Sequence, residues 1–458
     1  MRIQKPAVRS GQIRKRNTQM KISLKAKRIL CCVLTVVLLC ASLYGLSGLL
    51  MQRSSEAQFG RYYGSDMDFD VLFFGASHMQ DALNPVLLWQ EKGISSYNMA
   101  YSACRMSYSY WIARNAFRIH PPKLVVIDCA YLYYDEKHTE TDWPPRVAIE
   151  SMPMSAEKVR AVFDLFEETE DRLRYLFPFI AYHYRWSSLA MTDFEIDYEL
   201  MGFHPFCNVQ EAELNFAKPD PSVALDNFST RYLRMLIEEC QSRGIDVLLT
   251  TIPYAANEES LRGMSYTYTL AEEYGVPYLD ADSLAALLNT KTDFLNSYED
   301  NSHLNVSGAE KFSRFMAEYI SENYDIPDRR ADGRYAVWDS YTEEYYEKLD
   351  DRAIYCETAD EIITLLIAGK HSVYIELRSD ELLSQALMPD CMENVGIDVE
   401  KLRAAGCVLV SPDGIVYGEP ARASDTYAVF TDEIGAVEDA SSIFAVTRDG
   451  KPVGMRTF

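Results

Sequence analysis

Two short stretches, far apart in the sequence, carry residues whose types suit nucleophilic chemistry. Ser77 follows a short apolar run and Gly75, and His303 stands three residues after Asp300. A serine hydroxyl becomes an effective nucleophile when a base takes its proton and a third group orients that base. The sequence predicts Ser77 as the nucleophile and His303 as the base. Asp300 would orient the imidazole if its segment curls into one turn, because residues three apart then share a face.

Each of these residues also has an ordinary structural explanation. A serine after glycine at a strand end is usually part of a turn, and a histidine before a helix is usually a cap or a surface residue. A glycosidase with paired carboxylates has only the abundance of acidic residues in its favour. A metal site built from His78, Asp128, Asp300 and His303 lacks the ligand spacing of known sites. The sequence therefore favours serine chemistry without a metal or a cofactor.

An α/β pattern surrounds the two stretches and must position them. Continuous apolar runs that alternate with helical patterns are typical of parallel strands buried on both faces. Ligands bind at the carboxyl ends of such strands, which is where Ser77 falls. The predicted strands are 71–74, 96–100, 123–130, 245–252 and 277–279. The predicted helices are 83–91, 108–119, 156–175, 225–243, 258–274, 283–288 and 306–323.

Two regions depart from this pattern. Residues 139–220 are rich in aromatic residues and proline, and we interpret them as an insertion over the carboxyl edge of the sheet. In it, His183, Arg185 and Trp186 could line a sugar or phosphate site, although an aromatic packing role is the alternative. His78 could contact either the substrate or the protein interior. After a polar linker at 326–334, residues 335–458 are predicted to form a small α/β domain of unknown role.

The N-terminal residues predict a membrane anchor. Residues 1–28 contain ten Lys and Arg residues and no acidic residue, although the whole chain has a net charge of −23. Residues 29–50 carry no charge and are numerous enough to cross a bilayer as a helix. The basic arm then lies in the cytoplasm and the rest of the chain outside, after a linker at 51–68. A cleaved signal peptide fits less well, because the apolar run is long and no clean cleavage site follows it.

The two motifs resemble those of the SGNH (GDSL-like) hydrolase superfamily over residues 69–325. The matching stretches are Gly75-Ala76-Ser77-His78 and Asp300-Asn301-Ser302-His303. The histidine after the serine, and the run from His303 to Ala309, resemble the membrane-anchored branch that includes the teichoic-acid D-alanine transfer and alginate O-acetylation proteins. The resemblance implies a three-layer α/β/α flavodoxin-like domain with a parallel sheet. It also implies a catalytic triad of Ser77, Asp300 and His303, with the backbone N–H of Ser77 in the oxyanion hole.

Two positions differ from the family's pattern. Ala103 stands where the family has a glycine that donates its backbone N–H to the oxyanion, and the donor survives if alanine tolerates the local φ. Leu132 falls near the position of an asparagine whose side chain also donates. Loss of one such donor typically costs ~100- to 1000-fold in turnover. Asn98 and Tyr131 are the candidates to replace it.

These patterns together predict an extracytoplasmic serine esterase or O-acyltransferase that acts on cell-envelope glycans through an acyl-enzyme. The resemblance also implies a multispanning membrane acyltransferase as a partner that supplies acyl groups. The absent asparagine leaves an alternative, a non-catalytic envelope scaffold or glycan-binding protein that keeps the fold. The acidic body of the chain argues against broad binding of anionic polymers, and we expect no nucleic-acid partner.

Overall fold

The computed structural model describes residues 23–51, 54–137, 143–298 and 301–458. They form two compact units. The first contains the described residues up to 51, which include helix α1 (Leu24–Leu50), together with residues 177–189, and the second contains all other described residues.

Helix α1 is long and apolar enough to cross a membrane, as the sequence predicts. At about 1.5 Å per residue, its 27 residues reach about 40 Å, which exceeds the ~30 Å of a bilayer's hydrocarbon core. It begins before the charge-free run because Ser23 caps it, accepting a hydrogen bond from the backbone N–H of Ala26. Helix α9 (Phe179–Tyr182) and the 3-10 helix His183–Ser187 contact α1 within this unit.

A five-stranded parallel sheet forms the centre of the second unit, in the strand order β2-β1-β3-β4-β5. This is the flavodoxin-like order, whose switch point lies between β1 and β3. The parallel α/β fold predicted from the sequence is confirmed. The strands are β1 (Val71–Phe74), β2 (Ser96–Asn98), β3 (Leu124–Asp128), β4 (Asp246–Thr250) and β5 (Tyr278–Leu279).

Both faces of this sheet are covered by helices. These are α3 (Ser77–Ala82), α4 (Pro85–Lys92), α5 (Met106–Ala116), α10 (Phe228–Ser242), α11 (Glu258–Tyr274), α12 (Ala281–Ala285) and α13 (Val306–Asn323). Alternate β1 residues belong to different cores: Phe73 packs in a cluster with Met316 of α13, whereas Leu72 packs in a cluster with Ile112 of α5. Because successive strand residues point to opposite faces, two buried cores give the expected three layers.

Further helices and a hairpin join the central elements. Helices α6 (Trp143–Glu150), α7 (Ala156–Leu165), α8 (Thr169–Leu176) and α9 lie between β3 and β4 in sequence, in the predicted insertion. The hairpin of β6 (Phe294–Tyr298) and β7 (Asn301–Leu304) precedes α13.

Several local predictions differ from the observed elements. The predicted helix at 83–91 is α4, which begins two residues later because Asn84 caps it and Pro85 is its first residue; α3 precedes it as a separate short helix. The predicted helix at 156–175 is divided between α7 and α8, since Phe166 is buried in an extended conformation. In the predicted linker, helix α2 (Ser54–Tyr63) forms and buries Phe59 and Tyr62.

The C-terminal region forms a second, antiparallel sheet in the strand order β10-β9-β8-β11-β12. Its strands are β8 (His371–Leu377), β9 (Cys407–Ser411), β10 (Gly414–Tyr417), β11 (Ser442–Arg448) and β12 (Lys451–Thr457). Its helices are α14 (Trp338–Tyr355), α15 (Ala359–Leu365), α16 (Met388–Asn394), α17 (Val399–Ala405), α18 (Glu419–Arg422), α19 (Asp425–Val429) and α20 (Thr431–Ala436). The fully buried Trp338 stacks on Trp89 of α4, with ring centroids 5.2 Å apart. One hydrophobic core therefore runs from the parallel sheet into this region.

Candidate active site

Ser77 is the first residue of α3, directly beyond the carboxyl end of β1. Its backbone N–H has no acceptor within the helix, because the first N–H groups of any helix precede the first turn. The turn requires a glycine at position 75 because neighbouring atoms leave no room for a side chain. A Cβ atom at position 75 would lie 2.8 Å from Cβ of Met79 and 2.9 Å from Cβ of Asp128, so no side chain fits there.

His303 lies in β7 and faces Ser77. Its Nε2 atom is 2.8 Å from Oγ of Ser77, and its side chain is 2% exposed. The strand is held in register by Phe294, which pairs with Leu304, and by Leu295, which pairs with His303 itself. The structure thus brings the predicted nucleophile and base within hydrogen-bond distance across 226 residues of sequence.

The chain just before His303 is extended, contrary to the single curled turn expected from the sequence. Pairing of Phe294 with Leu304 buries both side chains and draws the segment into a hairpin. Asp300 lies outside the described residues, so its role as the group that orients His303 stays a prediction. The side-chain amide of Asn305, two residues after His303, donates to the carbonyl oxygen of Thr292 at 2.8 Å and so fixes the start of α13. The hairpin therefore enters α13 at a set angle.

His78 is enclosed by aromatic rings beside Ser77 and His303. Its ring centroid is 4.3 Å from that of Tyr254, 5.0 Å from that of Tyr131 and 4.5 Å from that of His303. Its Nε2 atom lies 3.3 Å from the Tyr131 hydroxyl. Burial, and secondarily the charge of His303, hold the pKa of His78 well below its ordinary value. His78 is therefore a neutral ring that packs against the imidazole of His303.

Asp128 ends β3 beside the turn at Gly75. Its Oδ1 atom accepts weak hydrogen bonds from the backbone N–H groups of Ala130 and Ile252, at 3.3 and 3.4 Å. Burial raises the pKa of this carboxyl to about 7, and the two hydrogen bonds oppose the rise. Asp128 thus supports the turns that follow β3 and β4. Among the described residues, no group of three or more His, Cys, Asp or Glu side chains is placed to hold a metal ion.

A cleft of about 600 Å³ opens in front of Ser77 and His303. Its wall is largely polar, and the stretch 204–210 of the insertion supplies half of it. The lining residues are Ser77, Asp81, Ser102, His204, Phe206, Asn208, Val209, Gln210, Leu295 and His303.

Asp81 is the lining residue that sequence reasoning missed although a signal was available. It stands four residues after Ser77 on α3, and residues four apart in a helix share a face. Burial, and then the negative charge of Glu199, raise the pKa of Asp81 well above its ordinary value. A protonated carboxyl one helical turn from the nucleophile can donate a hydrogen bond to a bound hydroxyl. Residues 204–210 show no periodic pattern that could have identified them, because they form neither a helix nor a strand.

The predicted oxyanion donors have different surroundings. Ala103 is exposed and has φ of +58°, which is the left-handed conformation that favours glycine. The amide of Asn98 donates to the carbonyl oxygens of Met79 and Leu83, at 2.8 and 2.9 Å. Both of its N–H bonds are therefore used to hold α3 against β2.

The position of the missing asparagine is apolar. Leu132 is fully buried and offers no donor. Tyr131, next to it, is closer to the reacting atoms: burial raises the pKa of its phenol, and a side-chain hydrogen bond with Ser77 opposes the rise. Of the two candidate replacements, Tyr131 is the one whose side chain contacts Ser77.

His183, Arg185 and Trp186 belong to the unit that contains α1. Nη1 of Arg185 donates to the carbonyl oxygen of Leu50 at 2.7 Å, and Nδ1 of His183 lies 3.0 Å from the carbonyl oxygen of Ile180. Trp186 is 75% exposed. None of the three is among the residues that line the cleft in front of Ser77.

No protein-family model matches this sequence, and no curated protein matches it. Among solved structures, the chain is similar to one from Bacteroides fragilis that is described as a "putative acylhydrolase". The two share 12% sequence identity with a TM-score of 0.29, over 58% of this chain and 94% of the other. The function is therefore inferred from the geometry of the site.

Proposed function

We propose that this chain is a membrane-anchored serine esterase or O-acyltransferase of the SGNH type, acting on cell-envelope glycans. The observation that carries the proposal is the 2.8 Å separation between Oγ of Ser77 and Nε2 of His303. The pair lies at the switch point of a parallel sheet and opens on a cleft large enough for a small substrate. A serine and a histidine at this distance form the central part of an acyl-transfer site.

The reaction follows from this pair. Nε2 of His303 accepts the hydroxyl proton of Ser77 while Oγ attacks the acyl carbonyl carbon. His303 then returns that proton to the departing alcohol, and the acyl group stays on Ser77 as an ester. Water or a glycan hydroxyl, deprotonated by His303, attacks this ester and releases the serine. Asp300 would hold the imidazole, and the backbone N–H groups of Ser77 and Ala103 would stabilise the oxyanion.

The cleft wall supports a polyhydroxylated acceptor. Asp81, Ser102, Asn208 and Gln210 present carboxyl, hydroxyl and amide groups that exchange hydrogen bonds with sugar hydroxyls. The charge-free run of α1 and the basic arm before it support an extracytoplasmic site on a single-pass anchor. A multispanning membrane acyltransferase as acyl donor accords with that location.

Covalent labelling by a fluorophosphonate probe tests the nucleophile. Full-length protein in detergent should be labelled, and Ser77→Ala should abolish the labelling. Ser102→Ala is the matched control, because Ser102 lines the same cleft but lies away from the His303 contact. An unlabelled wild type, or equal labelling of Ser77→Ala, would contradict the proposal.

The apolar character of Leu132 and the committed amide of Asn98 favour one rival function, a glycan-binding protein that keeps the fold without turnover. Hydrolysis of p-nitrophenyl acetate separates the two. An esterase should lose this activity in His303→Ala, whereas a binding protein would show none in either form.

A further inference from the structure

Residues 177–189, here named the aromatic segment, pack on the last turns of α1. One side of α1 is covered there: Ser47 and Leu50 are buried and Leu43 is half-buried, at the spacing of a single helix face. The contacts come from α9 and the 3-10 helix that follows it. Tyr182, 4% exposed, is the buried aromatic side chain of the segment.

The opposite side of the aromatic segment is exposed and apolar. The exposed fractions are 46% for Phe177, 43% for Ile180, 63% for Tyr184 and 75% for Trp186. Aromatic residues of this kind, with an apolar body and a polar tip, concentrate where hydrocarbon meets water. Four large exposed side chains within ten residues require a partner that covers them.

The length of α1 places this segment at a defined depth. The charge-free run Ile29–Leu50 reaches about 33 Å, which is close to the ~30 Å thickness of a hydrocarbon core. Leu50 therefore lies at the edge of that core. The segment contacts the last two turns before this edge, a depth of about 10 Å that matches the insertion of interfacial helices.

Arg185 caps the C-terminal end of α1, at the depth of Leu50. Its guanidinium donates to the carbonyl oxygen of Leu50, one of the last-turn carbonyls that lack a helical partner. A cation is also favourable at the negative end of the helix dipole. In this position the charged group stays at the boundary while the neighbouring apolar side chains face outward.

We propose that the aromatic segment lies in the membrane–water interface and is a second membrane contact beside the spanning helix. The occupant of its exposed side is the lipid bilayer surface, because the segment packs on a helix of membrane-spanning length. This proposal rests on the membrane anchoring included in the proposed function and is independent of the serine chemistry.

Quenching of tryptophan fluorescence by brominated lipids tests it. Full-length protein is reconstituted in phosphatidylcholine vesicles that carry bromine at carbons 6 and 7 or at carbons 11 and 12 of the acyl chain. The difference between wild type and Trp186→Phe isolates the emission of Trp186. We expect this emission to be lost with the shallow bromine label and retained more fully with the deep one. Trp143→Phe is the matched control, because Trp143 is 44% exposed and belongs to the other unit.

Other outcomes would overturn the proposal. Quenching of the Trp186 emission by aqueous iodide, with no effect of brominated lipid, would place the segment in water. Protection from both quenchers would mean that a protein surface, such as a second copy of the chain, covers it. Extraction of the protein by alkaline carbonate would show that α1 itself is not inserted, whereas fluorophosphonate labelling of Ser77 reports separately on the chemistry.

Discussion

Two buried histidines, one in each sheet region, have the same exposure and different surroundings. His303 and His371 are each 2% exposed. Nε2 of His303 lies 2.8 Å from a serine hydroxyl that lines an open cleft. Nε2 of His371 lies 2.7 Å from the carboxylate of Asp350, which also accepts a hydrogen bond from Arg448 at 2.8 Å.

The partner and the access, rather than burial, distinguish the two histidines. Asp350 accepts hydrogen bonds from His371 and Arg448, and these contacts join α14 to β8 and β11. Neither partner of Asp350 has a hydroxyl or thiol group that could act as a nucleophile. In the proposed mechanism, the Ser77 hydroxyl becomes nucleophilic when His303 takes its proton.

The largest expected effect is on the serine–histidine pair. His303→Gln should lower the rate of fluorophosphonate labelling by at least ~1000-fold, since the base is lost while the cleft remains. His371→Gln should keep the labelling rate and lose roughly 1–3 kcal/mol of stability, because Asp350 loses a buried partner. Labelling rates and thermal unfolding of both variants check the contrast. A comparable loss of labelling in folded His371→Gln would show that the two histidines are not functionally distinct.

The carboxyl groups beside these sites should respond to pH in opposite directions. The pKa of Asp128 is raised to about 7 in the folded chain, against an ordinary value near 3.8. The unfolded chain therefore releases this proton first, and stability falls as the pH rises from about 4 to about 7. Asp128→Asn removes that fall and should be more stable than wild type at pH 8 by roughly 1–3 kcal/mol, since one pKa unit is worth about 1.4 kcal/mol.

Asp350 provides the comparison. Burial favours a higher pKa for Asp350, but hydrogen bonds from His371 and Arg448 outweigh it and lower the pKa below the ordinary value. Its contribution to stability is present above about pH 4 and is lost as the pH falls through the folded pKa. Thermal unfolding of Asp128→Asn and Asp350→Asn from pH 3 to pH 8 measures both slopes. If the two substitutions changed the pH dependence of stability in the same direction, the opposite pKa shifts of Asp128 and Asp350 would be refuted.

A smaller effect is expected at Ala103. A residue with a side chain in the left-handed conformation costs roughly 1–2 kcal/mol, and glycine relieves this at a smaller entropic cost. Ala103→Gly should therefore be more stable by roughly 0.5–1 kcal/mol and keep its labelling rate, because the backbone N–H is retained. Ala190→Gly is the matched control, since Ala190 is exposed with φ of −117° and gains nothing from glycine. An equal change in both variants would argue against strain at Ala103.

The smallest expected effect concerns the pH dependence at His78. Burial and His303 keep the pKa of His78 low, so the ring is neutral where the protein is active. His78→Asn removes no charge, and the midpoint of the labelling rate against pH should not move, although the rate itself falls with the loss of ring packing. A charged His78 would give the opposite result, a midpoint displaced to higher pH in the variant.

The parallel sheet could be predicted closely because its strands are short apolar runs buried on both faces. β1 and helices α11 and α13 have the predicted bounds. Ser77 and His303 could be paired because one lies at the end of β1 and the other before the last helix of the same domain. The small α/β domain predicted at 335–458 contains strands and helices, but the antiparallel pairing of its strands was not predicted.

Other features depend on contacts that a single sequence does not display. The β6–β7 hairpin forms because tertiary packing buries both Phe294 and Leu304, which pair across it. The sequence of residues 204–210, which line the cleft, has no regular hydrophobic period. The aromatic segment packs on α1 across more than 120 residues of sequence, a contact that no local pattern displays. Helix α14 was overlooked although Trp338, Tyr345 and Leu349 repeat at helical spacing.

The core shared by the two sheets ties α13, the helix that follows His303, to the C-terminal region. Lys311 of α13 donates to Asn394 at 2.8 Å, and Asn394 donates to Ser307 at 2.9 Å. Together with the stack of Trp338 on Trp89, these contacts lead us to expect that α13 and the C-terminal sheet unfold in one cooperative transition. We also expect cleavage within residues 326–334 to leave the two parts of the chain associated through this core.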